Sequence, residues 1–384
     1  MVRALCVAMA VFVLPLGFAS ADDNPDRGEN AALKYWQAFA TMPKLTDAEQ
    51  NKLAGLEPDK PLDVATKEIL TQADYALQMM HRGAALRHCD WGITYEDGVF
   101  LRLPQGSAAR ALTSLARLRA GLRFQARHNV EAMEDIVAAM SLGRHVSQEG
   151  GFIPLLMGYA IEHRMGETLA RFLPKLDPTL IKILQARLDA LPPFASQSTA
   201  LMTCEKDSMD WFIRKVKETK DRESLLAFLG WIGISEGKDR DKGSKALAFL
   251  QECGGTAEGV IRLAEEVRPY YPQTAKMLSL PLDEFEKEFE RESRTRAANP
   301  VYRVFFPALA KVRRGQARAE LRRTLLSAAL AVQLDGPGAL KNHPDPVHGG
   351  LLEYVAFEGG FELRTKQKGE DDMIVTLTVG QRGK

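Results

Sequence analysis

Three groups of residues in this chain of 384 have the side-chain types that acid–base or metal chemistry requires. The first is Glu162, His163 and Glu167. On a helix predicted over 153–173, His163 and Glu167 stand one turn apart and face the same way. A histidine beside a carboxylate can serve as a general base with an orienting acid. Glu205, followed by Asp207 and Asp210, lies on a later predicted helix. Face-to-face packing of the two helices would complete an acidic cleft suited to metal-assisted hydrolysis. The plainer reading of His163 and Glu167 is an exposed ion pair, worth roughly a few tenths of a kcal/mol.

The second group lies in an apparent loop over 89–106. Asp90, Glu96 and Asp97 are hard oxygen donors, and Gly92 and Gly98 allow tight turns between them. Calcium takes about six to eight such oxygens, but the spacing departs from an EF-hand loop. The alternative is that the acids form turns and Trp91 docks into the core. In either case Asp90, Trp91, Glu96 and Asp97 make up a candidate binding surface. The third group is His81, His88 and Cys89. Two helical turns, ~10 Å, separate the histidines, too far for one zinc ion. The Cys-x2-Cys spacing of structural zinc is missing as well. No metal site and no cofactor are expected. His-Glu-x-x-His, the P-loop and Gly-x-Gly-x-x-Gly are all absent.

These groups must be positioned by helices. Residues 1–21 read as a secretory leader, with Arg3, an apolar run from Leu5 to Phe18, and Ala19-Ser20-Ala21 as the cleavage pattern. The run is short for a spanning helix, so the mature chain is expected in the periplasm or the medium, with no membrane span. Losing the leader removes Arg3, one of 51 basic residues, and leaves basic residues equal in number to the 50 acidic ones. That balance gives no footprint for nucleic acid. Arg119, Arg123 and Arg127 recur every fourth residue and read as a solvated helix face. Cys89, Cys204 and Cys253 remain, an odd number that leaves at least one thiol free. Buried free thiols are the ordinary outcome.

From Glu29 to about Gln333 the apolar period is helical. Thr46 and Glu49 form a capping box, and a helix is predicted over 63–86. Leu112, Leu115, Leu118 and Leu122 stripe one helix, and Met133, Ile136, Val137 and Met140 stripe the next. His128-Asn129 breaks them into a hairpin that looks like one tetratricopeptide-type unit. Further helices are expected at 177–191, 196–219, 222–231, 244–252, 256–268 and 282–294, bounded in large part by prolines, and a long one at about 307–333. Alternation then replaces the helical period. A hairpin about Gly359-Gly360 would set Ala356 against Leu363 and Glu353 against Lys366. Met373, Val375, Leu377 and Val379 form a third strand.

Cys89-Asp90-Trp91-Gly92 with Tyr95-Glu96-Asp97-Gly98, ahead of Leu- and Arg-rich helices, resembles a group of uncharacterised exported helical proteins of planctomycete bacteria, over much of 29–335. That group implies no activity or catalytic residues. The tail is similar to the C-terminal part of type II secretion pseudopilins: a long helix, Asp345-Pro346, Leu351 to Ala356, then Gly360-Phe361. Pseudopilins carry their apolar helix at the N-terminus, whereas this one is internal and rich in arginine.

The expectation is a mainly α protein of irregular helical hairpins followed by a long helix and a three-stranded antiparallel meander. It divides into a leader (1–21), a helical domain (22–297) and a helix-plus-meander module (298–384). Its expected function is a non-catalytic interaction or scaffold protein of the cell envelope with a protein partner. The alternative is a metal-assisted hydrolase using His163, Glu162, Glu167 and Glu205.

Overall fold

Helix ends in this protein are set by caps and by residues that cannot continue a helix. The computed structural model describes residues 29–93, 98, 103–232, 242–306, 308–366 and 374–382. The predicted leader and Glu96 and Asp97 lie outside them. Helix α1 (Ala31–Thr41) starts where the Asn30 side chain accepts from Ala32 N–H. Helix α2 (Asp47–Gly55) starts on the expected Thr46–Glu49 capping box. The helix predicted over 63–86 is two helices, α3 (Val64–Gln72) and α4 (Asp74–Ala84), joined at Ala73. The expected hairpin is α5 (Pro104–Gln125) and α6 (Asn129–Ser147). Between them Arg127 takes a left-handed φ of 64° and His128 N–H donates to Arg123 O at 2.9 Å, a helix stop that glycine usually makes. Helix α7 (Phe152–Phe172) follows, then α8 (Pro178–Asp189), capped by Asp177.

The next stretch is more broken. Helix α9 (Gln197–Ala200) runs through a π-helical turn, Leu201–Glu205, into α10 (Lys206–Glu218). Helices α11 (Arg222–Trp231), α12 (Lys242–Glu252), α13 (Ala257–Val267), α14 (Tyr270–Met277), α15 (Leu282–Arg296) and α16 (Pro300–Phe305) are connected by short turns or by segments outside the described residues. Helix α17 (Ala308–Asp335) is the long helix expected at 307–333. Among the described residues no helix is long and apolar enough to cross a membrane.

Strands β1 (Glu353–Phe357), β2 (Gly360–Arg364) and β3 (Thr376–Gly380) form the expected antiparallel meander in the order β1-β2-β3. The register differs from the expected one. Ala356 pairs with Phe361 and Glu353 with Arg364, so the turn is Glu358-Gly359. Only Gly359 has a positive φ, 85°. Gly360 is inside the strand, paired with Phe357, and a Cβ there would come within 2.0 Å of Val379 O, so only glycine fits. The offset is two residues, so every side chain keeps its face. The charge pair becomes Glu353–Arg364, at 2.9 and 3.2 Å.

Buried apolar side chains fall into two large clusters. One joins residues of α1–α8 with the C-terminal half of α17 and the sheet. The other joins residues of α9–α16 with Leu309 and Val312 at the start of α17. These clusters do not follow the expected division at 298. Phe361, Leu363, Leu377 and Val379 belong to the same core as Leu112 and Ile136, because β3 lies against α7 and α17.

Deleting residues 337–384 would remove the buried Leu340, Leu352, Phe361, Leu363, Leu377 and Val379. At about 1.5–3 kcal/mol each, their sum rivals the whole stability of a typical domain, about 5–15 kcal/mol. The truncated protein is expected to lose its cooperative thermal transition by circular dichroism. A truncation that melts as the full chain does would contradict the shared core.

Candidate functional site

Close approach of backbones places α7. Gly143 on α6 faces Gly158 on α7, where a Cβ would come within 2.6 Å of Gly143 O. The neighbouring face of α7 then carries Tyr159, Glu162, His163, Gly166 and Glu167 toward α17. Together with Arg322, Arg323, Leu325 and Leu326 of α17, they line a small cleft open to solvent. Phe194 and the start of β3, Thr376 and Leu377, supply its remaining walls.

The acids of the cleft are occupied to different degrees. Glu162 is held by Arg144 in a two-pronged pair, Nε to Oε2 at 3.1 Å and Nη2 to Oε1 at 3.0 Å. Arg144 also donates to Pro192 O at 2.9 Å. His163 Nε2 lies 3.6 Å from Glu167 Oε1. Burial lowers the His163 pKa, Arg322 and Arg164 lower it further, and Glu167 opposes them. The Tyr159 hydroxyl is pushed up to about 12 by burial. The Phe194 ring lies between two cations, with Arg144 5.0 Å and Arg323 5.1 Å from its centroid, and Tyr159 packs against it at 4.8 Å. Neither Arg322 nor Arg323 has a carboxylate within ion-pair distance among the described residues.

The structure keeps Glu205 away from His163. Glu205 ends the π-helical turn and accepts from the backbone N–H of Phe152, and burial raises its pKa. Phe152 opens α7, and His163 lies eleven residues further along, ~16 Å down the axis. Asp210 pairs with Arg268, and with Lys206 at 3.5 Å. Packing therefore brings Glu162, His163 and Glu167 to one cleft and leaves Glu205 and Asp210 outside it.

Trp91 is a core residue. It stacks on Tyr35 at 5.6 Å and on Phe39 at 6.1 Å, and Nε1 donates to His145 O at 3.0 Å. Asp90 builds a turn, its Oδ1 accepting from Gly92 N–H at 2.9 Å and its backbone exchanging hydrogen bonds with the Asn30 side chain at 2.9 and 2.6 Å. Behind Trp91, the Tyr35 hydroxyl and His145 Nδ1 form a buried hydrogen bond of 2.8 Å. Burial lowers the His145 pKa to about 4.

His81 and His88 do not converge either. His81 Nε2–H donates to Asp135 Oδ1 at 2.7 Å, and His88 is exposed. Asp135 has no exposed surface and also accepts from Arg119 at 2.6 and 3.0 Å and from Arg123 at 2.7 Å. The arginine row expected to be solvated is thus partly interior, with Arg119 only 9% exposed. Burial alone would raise the Asp135 pKa, but the His81 and Arg119 hydrogen bonds and the charges of Arg119 and Arg123 outweigh it and hold it low. Cys89 and Cys253 are free thiols. Among the described residues no cluster of three or more His, Cys, Asp or Glu side chains could hold a metal ion.

Sequence reasoning missed Arg144, Tyr159, Phe194, Arg322 and Arg323. The adjacent arginines on a predicted helix were the only visible signal. No protein-family model, curated protein or solved structure matches this chain.

Two stability predictions follow from the interior polar groups. Asp135→Asn leaves Arg119 buried beside a neutral partner and is expected to cost about 3–5 kcal/mol at pH 7, while Asp74→Asn, at a half-exposed partner of Arg119, costs less than about 1 kcal/mol. Urea denaturation compares the two, and equal losses would rule out the buried cluster as the stabilising element. His145 titrates lower in the fold than in the unfolded chain, where a histidine takes its proton near the ordinary value of 6.5. Its contribution is complete above that value and is lost as pH falls toward about 4, with a slope of at most ~1.4 kcal/mol per pH unit. His145→Gln should flatten the wild-type stability curve between those limits, and an unchanged slope would mean that His145 is not titrating there.

Proposed function

We propose that this chain is an exported interaction protein of the cell envelope, acting by binding a protein partner, with the α7–α17 cleft as its binding site. Export is carried by the leader pattern of Arg3, the apolar run to Phe18 and Ala19-Ser20-Ala21. The single observation that favours binding over hydrolysis is how the charged groups of the cleft are distributed. Glu162 is saturated by Arg144 and Glu205 is tied to the start of α7, so His163 keeps only Glu167 beside it. Meanwhile Arg322 and Arg323 line the cleft, and no carboxylate among the described residues is within ion-pair distance of them. A metal-assisted hydrolase would need Glu205 or Asp210 in the cleft; a binding site needs only recognition groups that are not already engaged.

Gly166 offers a clean way to test the site. An added Cβ there meets only Leu326 Cδ2, at 3.6 Å, so Gly166→Met should fold and fill the cleft. The mature protein and this variant, matched in melting temperature, are crosslinked in the native envelope and the captured proteins compared. A partner recovered by the wild type and reduced at least tenfold by Gly166→Met is the expected result. Equal recovery would remove the cleft as the binding site. No recovery by either would remove a stable interaction role and turn attention to hydrolytic activity around His163.

A further inference from the structure

We propose that a second site, the cavity walled by α2, α5 and α7, binds a single-chain amphiphile with an anionic head. Arg117 and Arg164 hold the head, and the apolar chain lies along α7. This site is separate from the α7–α17 cleft and does not rest on the reading of that cleft.

The first observation is the space. The cavity holds about 440 Å³ and opens to solvent beside Ser107, Arg110 and Ile153, all exposed. Proteins hold small organic ligands in spaces of about 300–1,000 Å³. Ile153, Met157, Ala160 and Arg164 line it from α7 at spacings of three and four, so they share one face of that helix. Helices α5 and α7 run in the same direction here. Gly106 meets Met157 near their starts, and Arg117 and Arg164 both reach Ala54 O further along. Ser107 and Arg117 both line the cavity, and they stand ~15 Å apart along α5. The space is therefore elongated.

The second observation is that its two ends differ. At the start of α7, Ile153, Leu156 and Met157 form an apolar wall. Ile153 is 65% and Leu156 38% exposed, apolar surface that the fold leaves in water. At the far end two guanidiniums converge, because Arg117 and Arg164 donate to the same carbonyl oxygen. Arg110 adds a third cation at the mouth. No aspartate or glutamate lines the cavity. Glu57 and Glu167 are the acids whose charge reaches Arg117, and both stand outside it. Glu57 pairs with Arg171 at 3.3 Å, and Glu167 lies 3.6 Å from His163 Nε2.

The third observation is an unused donor. Arg117 is only 5% exposed, its three hydrogen bonds all leave from Nη2, and its Nε is buried without a partner. Burial and the charges of Arg164 and Arg171 lower its pKa to about 10, so it remains a cation at neutral pH. A buried cation crowded by others is costly, and an anion beside it offsets that cost. A carboxylate and a phosphate monoester both match the planar fork of a guanidinium. A free fatty acid and a single-chain phospholipid share that chemistry. A neutral alcohol lacks the charge, and a bare inorganic ion leaves Ile153 and Leu156 uncovered.

The test is isothermal titration calorimetry of the full-length protein with octanoate, octyl phosphate and octanol. At least one anion is expected to bind tenfold or more tightly than octanol, and the tighter of the two identifies the head group. Three variants are used once their melting temperatures match the wild type. Arg164→Met should weaken that anion at least tenfold and leave octanol unchanged. Ala160→Phe, at an exposed position of the lining, should fill the space and weaken all three ligands at least tenfold. Arg82→Met, at an exposed position on α4, should change nothing. Octanol binding as tightly as both anions would overturn the cationic end. Inorganic phosphate displacing the anion at equal concentration would overturn the need for a chain. Unchanged binding by Ala160→Phe, or no binding of any ligand by the wild type, would remove the cavity as the site and leave the α7–α17 cleft untouched.

Discussion

Helix α17 is fixed at its two ends by different hydrophobic cores. Leu309 and Val312 are buried with the residues of α9–α16, and Leu325, Ala329 and Val332 with those of α1–α8 and the sheet. A helix of 28 residues is ~42 Å long, so its middle spans from one core to the other. Along that middle Ala317, Ala319 and Leu321 are buried, Ala319 in a small separate cluster with Leu155 and Tyr159 of α7, while Arg322 and Arg323, which line the cleft, are half-buried.

The other arginines near the cores show what makes this pair unusual. Arg117 is 5% exposed and donates to the carbonyls of Leu53, Ala54 and Leu56, at 3.2, 3.2 and 2.6 Å. It caps the end of α2, where helix carbonyls lack partners. Arg171 joins Glu57 and Asp59 at 3.3 and 2.8 Å, so the stretch between α2 and α3 is tied to α7 by cations. Arg119 and Arg123 close on Asp135, and Arg313 donates to Leu280 O at 3.0 Å. Arginine is used here as an internal fastener between helix ends and loops. A balanced net charge is therefore compatible with a strongly local use of charge.

The fold class was legible because proline, glycine and caps mark the helix ends independently of packing. Asp177-Pro178, the Thr46–Glu49 box and Gly150-Gly151 all act within a few residues. The sheet was legible in its faces but not its exact pairing, since alternation fixes which side a residue lies on while the turn decides its partner. A conflict with β3, set by Gly360 against Val379 O, is non-local. The arginine row was misread for a related reason. Helix α5 is covered on nearly every face, with Arg117 and Arg119 buried beside Leu115, Ala116 and Leu118. Charge is a poor guide to the solvent face of such a helix. In the site, the His163–Glu167 spacing was visible, but Arg144, Phe194 and Arg322 come from three separate elements whose meeting no local period announces.

The unpaired state of Arg322 has a physical cause in the surrounding charges. Glu167 is the carboxylate that acts on it, and that side chain stands beside His163. Glu320, two residues earlier on the helix, accepts from Gln316 Nε2 at 2.7 Å, and Glu162 belongs to Arg144. With both ends of α17 held, the helix cannot slide to bring another acid into reach. Burial and the charges of Arg322 and Arg164 lower the His163 pKa, and Glu167 opposes them.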